Sequence, residues 1–114
     1  MNSKKVLILS IFIILFGALL MESKVIHKFL YPKKYSEYVE KYSKEFNLDE
    51  NIVYSVIKAE SKFNSSAVSK KEAKGLMQIL DITRDWGAEE LNLKNVDIFD
   101  PETNIRLGCW YLSK

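Results

Sequence analysis

One carboxylate in this sequence stands where helical periodicity asks for an apolar side chain. Val53, Val56 and Ile57 recur at i, i+3 and i+4, the spacing of one helix face, and the next position on that face is Glu60. Ser55 and Lys58 lie on the polar face of the same stretch, so Glu60 is not part of a solvated stripe. A carboxyl group buried without a positive partner is held in its neutral form. A neutral acid near pH 7 is what general-acid catalysis needs. The pattern also allows a plainer placement, in which Glu60 ends the helix and tilts into water or pairs with Lys62.

The remaining composition narrows the chemistry. One cysteine, Cys109, and one histidine, His27, cannot supply an ordinary zinc site, so no metal is expected. Nor can that histidine, set among lysines, build a Ser-His-Asp or Cys-His arrangement. Cys109 fits the apolar face of the last helix with Ile105 and Leu112 as a small buried hydrophobe. No glycine-rich phosphate loop is present, and no cofactor is implied. A net charge of +2 with both signs interspersed is no footprint for nucleic acid.

The elements that must position Glu60 follow from periodicity and punctuation. Lys4 and Lys5 precede sixteen uncharged residues, Val6 to Met21. That run is slightly short for a full membrane span and longer than most signal-peptide cores. No small-x-small cleavage pattern follows it, so an uncleaved signal anchor over residues 1–24 fits better than a cleaved leader. Lysines flank the run on both sides and leave its orientation undecided. Residues 25–34 read as a juxtamembrane linker ending near Pro32. The 114 residues then leave about eighty for a single domain, near the lower limit for a self-sufficient core.

Tyr35, Tyr38, Val39, Tyr42 and Phe46 make an amphipathic helix. Asp49 is the expected N-cap of the helix that carries Glu60. Ser61 to Ser69 is loop chemistry. A third helix is expected from about Ala73 through Leu80. Asp81 is expected to cap a fourth, containing Ile82 and Trp86, and residues 92–99 form a loop. Asp100-Pro101 starts the last helix, with Asp at the N-cap and Pro at N1. No stretch reads as a strand, so the domain is all-α.

Three blocks in order make the chain resemble the soluble-lytic (SLT, goose-lysozyme-like) type of lytic transglycosylase. Glu60-Ser61 is followed by Phe63-Asn64 and Ala67-Val68-Ser69. Gly75-Leu76-Met77-Gln78-Ile79 begins fifteen residues after the acid. Asn104-Ile105-Arg106-Leu107-Gly108 and Trp110-Tyr111-Leu112 follow Phe99-Asp100-Pro101. The resemblance covers residues 35–114. Glu72 and Asp81 depart from the family pattern, which has Gly and Pro there. Family domains also continue through a further tyrosine-bearing segment, so the SLT-like domain is expected to be C-terminally truncated, an incomplete lysozyme-like helical fold behind an N-terminal hydrophobic anchor helix.

The resemblance implies a peptidoglycan lytic transglycosylase that cuts the β-1,4 bond between N-acetylmuramic acid and N-acetylglucosamine. It implies Glu60 as the single catalytic acid, and Ser69 and Gln78 as polar groups that hydrogen-bond the sugar. Met77 is either a wall of the substrate cleft or plain core packing, and Asn104 and Tyr111 are by default structural. Glycosidases usually work with two carboxylates. Asp81, Asp85, Asp97 and Asp100 all have ordinary uses as caps or loop residues, so a one-acid reaction fits, ending in a 1,6-anhydro-muramic acid. A water-using muramidase of the same fold and a non-catalytic peptidoglycan-binding fragment are the alternatives. The expected partners are glycan strands and, through the N-terminal helix, the membrane. The expected state is a monomer, single-pass, facing the cell wall, with secretion after signal cleavage as the alternative.

Overall fold

The computed structural model describes residues 2–21 and 34–114, the first stretch with side chains to residue 17. The chain divides into two compact units, Met1–Lys33 and Lys34–Lys114. In the first, helix α1 spans Ser3–Met21. Asn2 starts it, its side chain accepting the Lys4 amide at 3.1 Å. The one mid-helix hydroxyl, Ser10, donates back to the Val6 carbonyl at 2.9 Å and so presents no unmet donor. Phe12, Ile14 and their apolar neighbours are exposed along the helix. Among the described residues, no helix is long and apolar enough to cross a membrane. The linker expected over residues 25–34 falls, up to Lys33, outside the described residues, as does His27.

The second unit is built from α2 (Ser36–Glu45), α3 (Glu50–Ser61), α4 (Asp81–Glu90) and α5 (Pro101–Leu112). Two of the four starts are capped as their sequences dictate. Asp49 accepts the Asn51 amide at 2.8 Å, and Asp100 accepts both the Thr103 amide at 3.0 Å and its hydroxyl at 2.9 Å, with Pro101 beside it. Helix α4 corrects an expectation. Leu80 occupies its N-cap position without a side-chain cap. Asp81 lies inside the first turn, where its carboxylate takes Lys74 at 3.1 Å and Arg84 at 3.4 Å.

A second correction concerns residues 73–80, which form no helix. Gly75 (φ 78°) and Gln78 (φ 54°) both adopt the left-handed conformation and interrupt any right-handed coil. The segment is instead a double turn, closed by reciprocal bonds between Lys74 and Ile79 at 3.0 and 2.9 Å and tied to Ala67 by the Gly75 amide at 2.8 Å. Leu76, Met77 and Ile79 are nevertheless buried, so the apolar pattern was a core signal rather than a helix signal.

Helix α5 is the hub, packing against both α2 and α4, while α2 also packs on α3. Val39, Val53, Ile57, Leu76, Ile105 and Leu107 are fully excluded from water. Asn104, also fully buried, ties the hub to two loops. Its Oδ1 accepts the Met77 amide at 2.7 Å, and its Nδ2 donates to the carbonyls of Lys74 at 2.9 Å and Ile98 at 2.7 Å. A side chain at position 75 would collide with the Asn104 amide, so Gly75 is required by close approach as well as by its φ.

Two outcomes follow. Asn104→Ala leaves one buried donor and two buried acceptors without their partner and is expected to lower unfolding free energy by about 2–4 kcal/mol in urea titrations. An unchanged midpoint would remove Asn104 from this role. Burial, with the Glu45 charge adding, pushes the Cys109 thiol up to about 12. An unfolded thiol ionises at about 8.5, so the folded state holds this proton more tightly. Stability from this group is present below about pH 8.5 and is lost as pH rises through that window toward about 12. The buried phenols of Tyr42 and Tyr54, raised chiefly by burial, add to the loss above about pH 10. Melting temperatures measured across pH are expected to fall less steeply from the alkaline onset in Cys109→Ala.

Candidate active site

Glu60 is the penultimate residue of α3. The helix ends there because Lys62 and Phe63 both turn left-handed, at φ 51° and 63°, with the Lys62 amide closing on the Lys58 carbonyl at 3.1 Å. Phe63 is buried, which holds a bulky residue in a conformation it adopts rarely. Glu60 is exposed, not buried, which corrects the burial that its apolar face suggested. Among the described residues its carboxylate makes no hydrogen bond and no ion pair, including none with Lys62.

The carboxylate borders a groove of about 250 Å3. Val56, one turn before Glu60, continues the α3 wall. Met77, Gln78, Ile79 and Leu80 of the double turn form the base, with Thr83 of α4 beside them. Gly108, Tyr111 and Leu112 of α5 close the far side. Leu80, Tyr111 and Leu112 are each about half exposed, so the walls are apolar and open to solvent. Met77 packs directly on Gly108, where any Cβ would strike its sulfur. It is both core filling and groove floor.

Ser61 joins the acid to this base. Its hydroxyl lies 2.8 Å from the Leu76 carbonyl and 3.1 Å from that of Ile57, so the last turn of α3 is fixed to the loop that forms the groove floor. Gln78 is held equally firmly. Its Nε2 donates to Gly75 at 2.9 Å and Ala67 at 3.2 Å. Its Oε1 accepts no hydrogen bond among the described residues and remains available at the groove.

Of the residues singled out in the sequence, the structure brings Glu60, Met77 and Gln78 together. Ser69 lies outside the groove lining. Its hydroxyl accepts the Ala73 amide at 3.1 Å and shapes the turn that precedes the base. The four aspartates weighed above are engaged elsewhere: Asp81 with Lys74 at 3.1 Å, Asp85 with Arg84 at 2.9 Å, Asp97 with the Phe99 amide at 2.9 Å, and Asp100 as a cap. Glu60 is the one acid among the described groove residues. Among the described residues, no three His, Cys, Asp or Glu side chains cluster in a way that would hold a metal ion. Leu80 and Thr83 were not anticipated as groove residues: the double turn carries Leu80 there, and Thr83 stands on the first turn of α4 beside it. Val56 was legible, since it shares the Glu60 face.

Residues 37–114 match the transglycosylase SLT domain. The chain belongs to that family. Among curated relatives, the membrane-bound lytic murein transglycosylases C of Edwardsiella ictaluri and Salmonella arizonae are 34% and 35% identical over 89 and 86 residues. Each match covers 70% of this chain, which spans 24% of the relative's length. Among solved structures, the lytic transglycosylase Slt of Pseudomonas aeruginosa, an inactive Glu-to-Gln mutant, superposes with a TM-score of 0.68 at 27% identity, covering 73% of this chain and 14% of that one. The 70-kDa soluble lytic transglycosylase of Escherichia coli superposes at 0.68 and 25%, covering 78% and 15%. A complex of the 70-kDa soluble lytic transglycosylase with bulgecin A superposes at 0.69 and 25%. The unit over residues 34–114 thus has the all-helical, lysozyme-like SLT architecture.

The Ser61 bridge gives a further expectation. Ser61→Ala is expected to cost about 1 kcal/mol of stability and to speed amide exchange in residues 75–79 more than in α5. Uniform exchange across both would mean that the hydroxyl does not tie α3 to the groove floor.

Proposed function

We propose that the groove cleaves the β-1,4 bond between N-acetylmuramic acid and N-acetylglucosamine in peptidoglycan glycan strands, as a lytic transglycosylase. The observation that carries this reading is the solitary carboxylate of Glu60 in an apolar groove, within a chain of the SLT family. The Pseudomonas relative is inactive as a Glu-to-Gln mutant, which supports a reading in which a glutamate is essential.

In this mechanism Glu60 donates its proton to the glycosidic oxygen as the C1–O bond breaks. The 2-acetamido group of the muramic acid stabilises the cation developing at C1. The Glu60 carboxylate then takes the proton of that sugar's 6-hydroxyl, whose oxygen closes on C1 to give the 1,6-anhydro ring. Intramolecular attack draws on proximity, which removes the need for a second carboxylate to activate water. A glycan seated against Leu80, Tyr111 and Leu112 displaces water from the groove, which strengthens its electrostatic interactions. Gln78, through its free amide oxygen, orients the sugar from below, and Met77 shapes the floor. Ser69 contributes by fixing the preceding turn, and reaches the sugar only if that turn moves.

The openness of Glu60 to solvent favours one second reading, a muramidase in which water takes the place of the 6-hydroxyl. The names of the relatives support a membrane setting. In this reading residues 1–24 anchor the chain as a single-pass segment, residues 25–34 link it, and residues 35–114 face the wall. Glu60→Gln is expected to lower release of muropeptides from purified peptidoglycan by about 10²–10⁴-fold while leaving glycan binding in place. Release at the native rate would exclude Glu60 as the acid.

A further inference from the structure

The groove ends at a group of aromatic rings. Tyr111 lines it, and the Tyr111 ring lies 6.4 Å from that of Trp86 at 82°. Trp86 in turn meets Trp110 edge to face, 4.7 Å away at 80°. Trp110 is buried and fixed, its Nε1 donating to Glu90 at 2.7 Å, and Lys114 reaches the same carboxylate at 2.7 Å. These two bonds hold Glu90 ionised below the usual carboxylate range, Lys114 contributing more than Trp110. Trp86 and Tyr111, mounted on this anchored ring, are 46% and 52% exposed. Thr83, one turn before Trp86 on α4, lines the groove, so the rings continue its wall rather than form a separate patch.

We propose that Trp86, next to the groove-wall ring of Tyr111, forms an aromatic shelf that binds a sugar ring of the glycan strand where the strand leaves the groove that holds Glu60. The inference rests on the reading of that groove as a glycan site. At about 250 Å3 the groove is smaller than the roughly 300–1,000 Å3 that encloses a drug-sized ligand, so a repeating glycan must run out over one of its walls. The aromatic end is the wall prepared for it. Pyranose rings present a face of C–H groups, and Tyr and Trp supply large, rigid, amphipathic area at low entropy cost.

The test uses the full chain in detergent with Glu60→Gln to prevent cleavage. The probes are un-cross-linked peptidoglycan strands and a single N-acetylglucosaminyl-muramic acid disaccharide. The chain has two tryptophans, hence two indole N–H signals in NMR spectra. Strands are expected to shift the Trp86 indole signal together with the Met77 and Leu80 methyls, and the disaccharide to shift the methyls alone. Trp86→Ala is expected to weaken strand binding about tenfold and leave disaccharide binding unchanged, with Trp86→Phe retaining most of the affinity. Strands that move the groove methyls but not Trp86 would overturn the shelf and leave the groove reading standing. Equal loss for both probes in Trp86→Ala would also overturn it, as a support role through Trp110. Strands that move neither set of signals would overturn both readings.

Discussion

The buried amide of Asn104 is the interaction on which the site depends. It stands on the central helix α5, yet all three of its bonds go to loops: to Lys74 and Met77 within the double turn, and to Ile98 before the helix. A buried amide left unpaired costs more than a made bond returns, so this residue works as an all-or-nothing clamp. Gly75 admits the amide, and Gly108 admits Met77 on the same helix. Two missing side chains and one buried amide set the depth of the groove floor.

From that clamp the geometry of the groove follows in order. The floor is fixed to α5, and Ser61 fixes the end of α3 to the floor. Glu60 therefore rides on an element tied through one hydroxyl to a loop tied through one amide. The α2–α5 side of the unit is held separately, by Tyr42 donating to Glu102 at 2.6 Å and Arg106 to Glu45 at 3.1 Å. Those partly exposed contacts are worth less than the clamp. The consequence is a firmly tied base with a carboxylate at an open rim.

Particular residues show how much of this was legible. The caps at Asp49 and Asp100-Pro101, and the apolar faces of α2 and α3, follow from local rules and lie where those rules put them. Residues 73–80 misled because Leu76, Ile79 and Leu80 fit a helical spacing, while the deciding facts are the left-handed Gly75 and Gln78 and the Asn104 bonds thirty residues away. Glu60 misled for a related reason. Its face is apolar, but burial is set by what lies opposite, and Glu60 is exposed at the groove. Ser69 was grouped with the site by sequence block, whereas its hydroxyl serves the local turn. Family membership was legible from the three ordered blocks, of which the second holds Gly75 and Met77 and the third Asn104, all members of the clamp.

The chemistry proposed for the groove makes a distinctive statement about product. A lone carboxylate that returns the 6-hydroxyl to C1 leaves a sugar one water lighter than hydrolysis does. The most direct measurement is mass spectrometry of muropeptides released from purified peptidoglycan by the chain. Ends in 1,6-anhydro-muramic acid that disappear with Glu60→Gln are the predicted result. Reducing ends that carry oxygen from labelled water would contradict it.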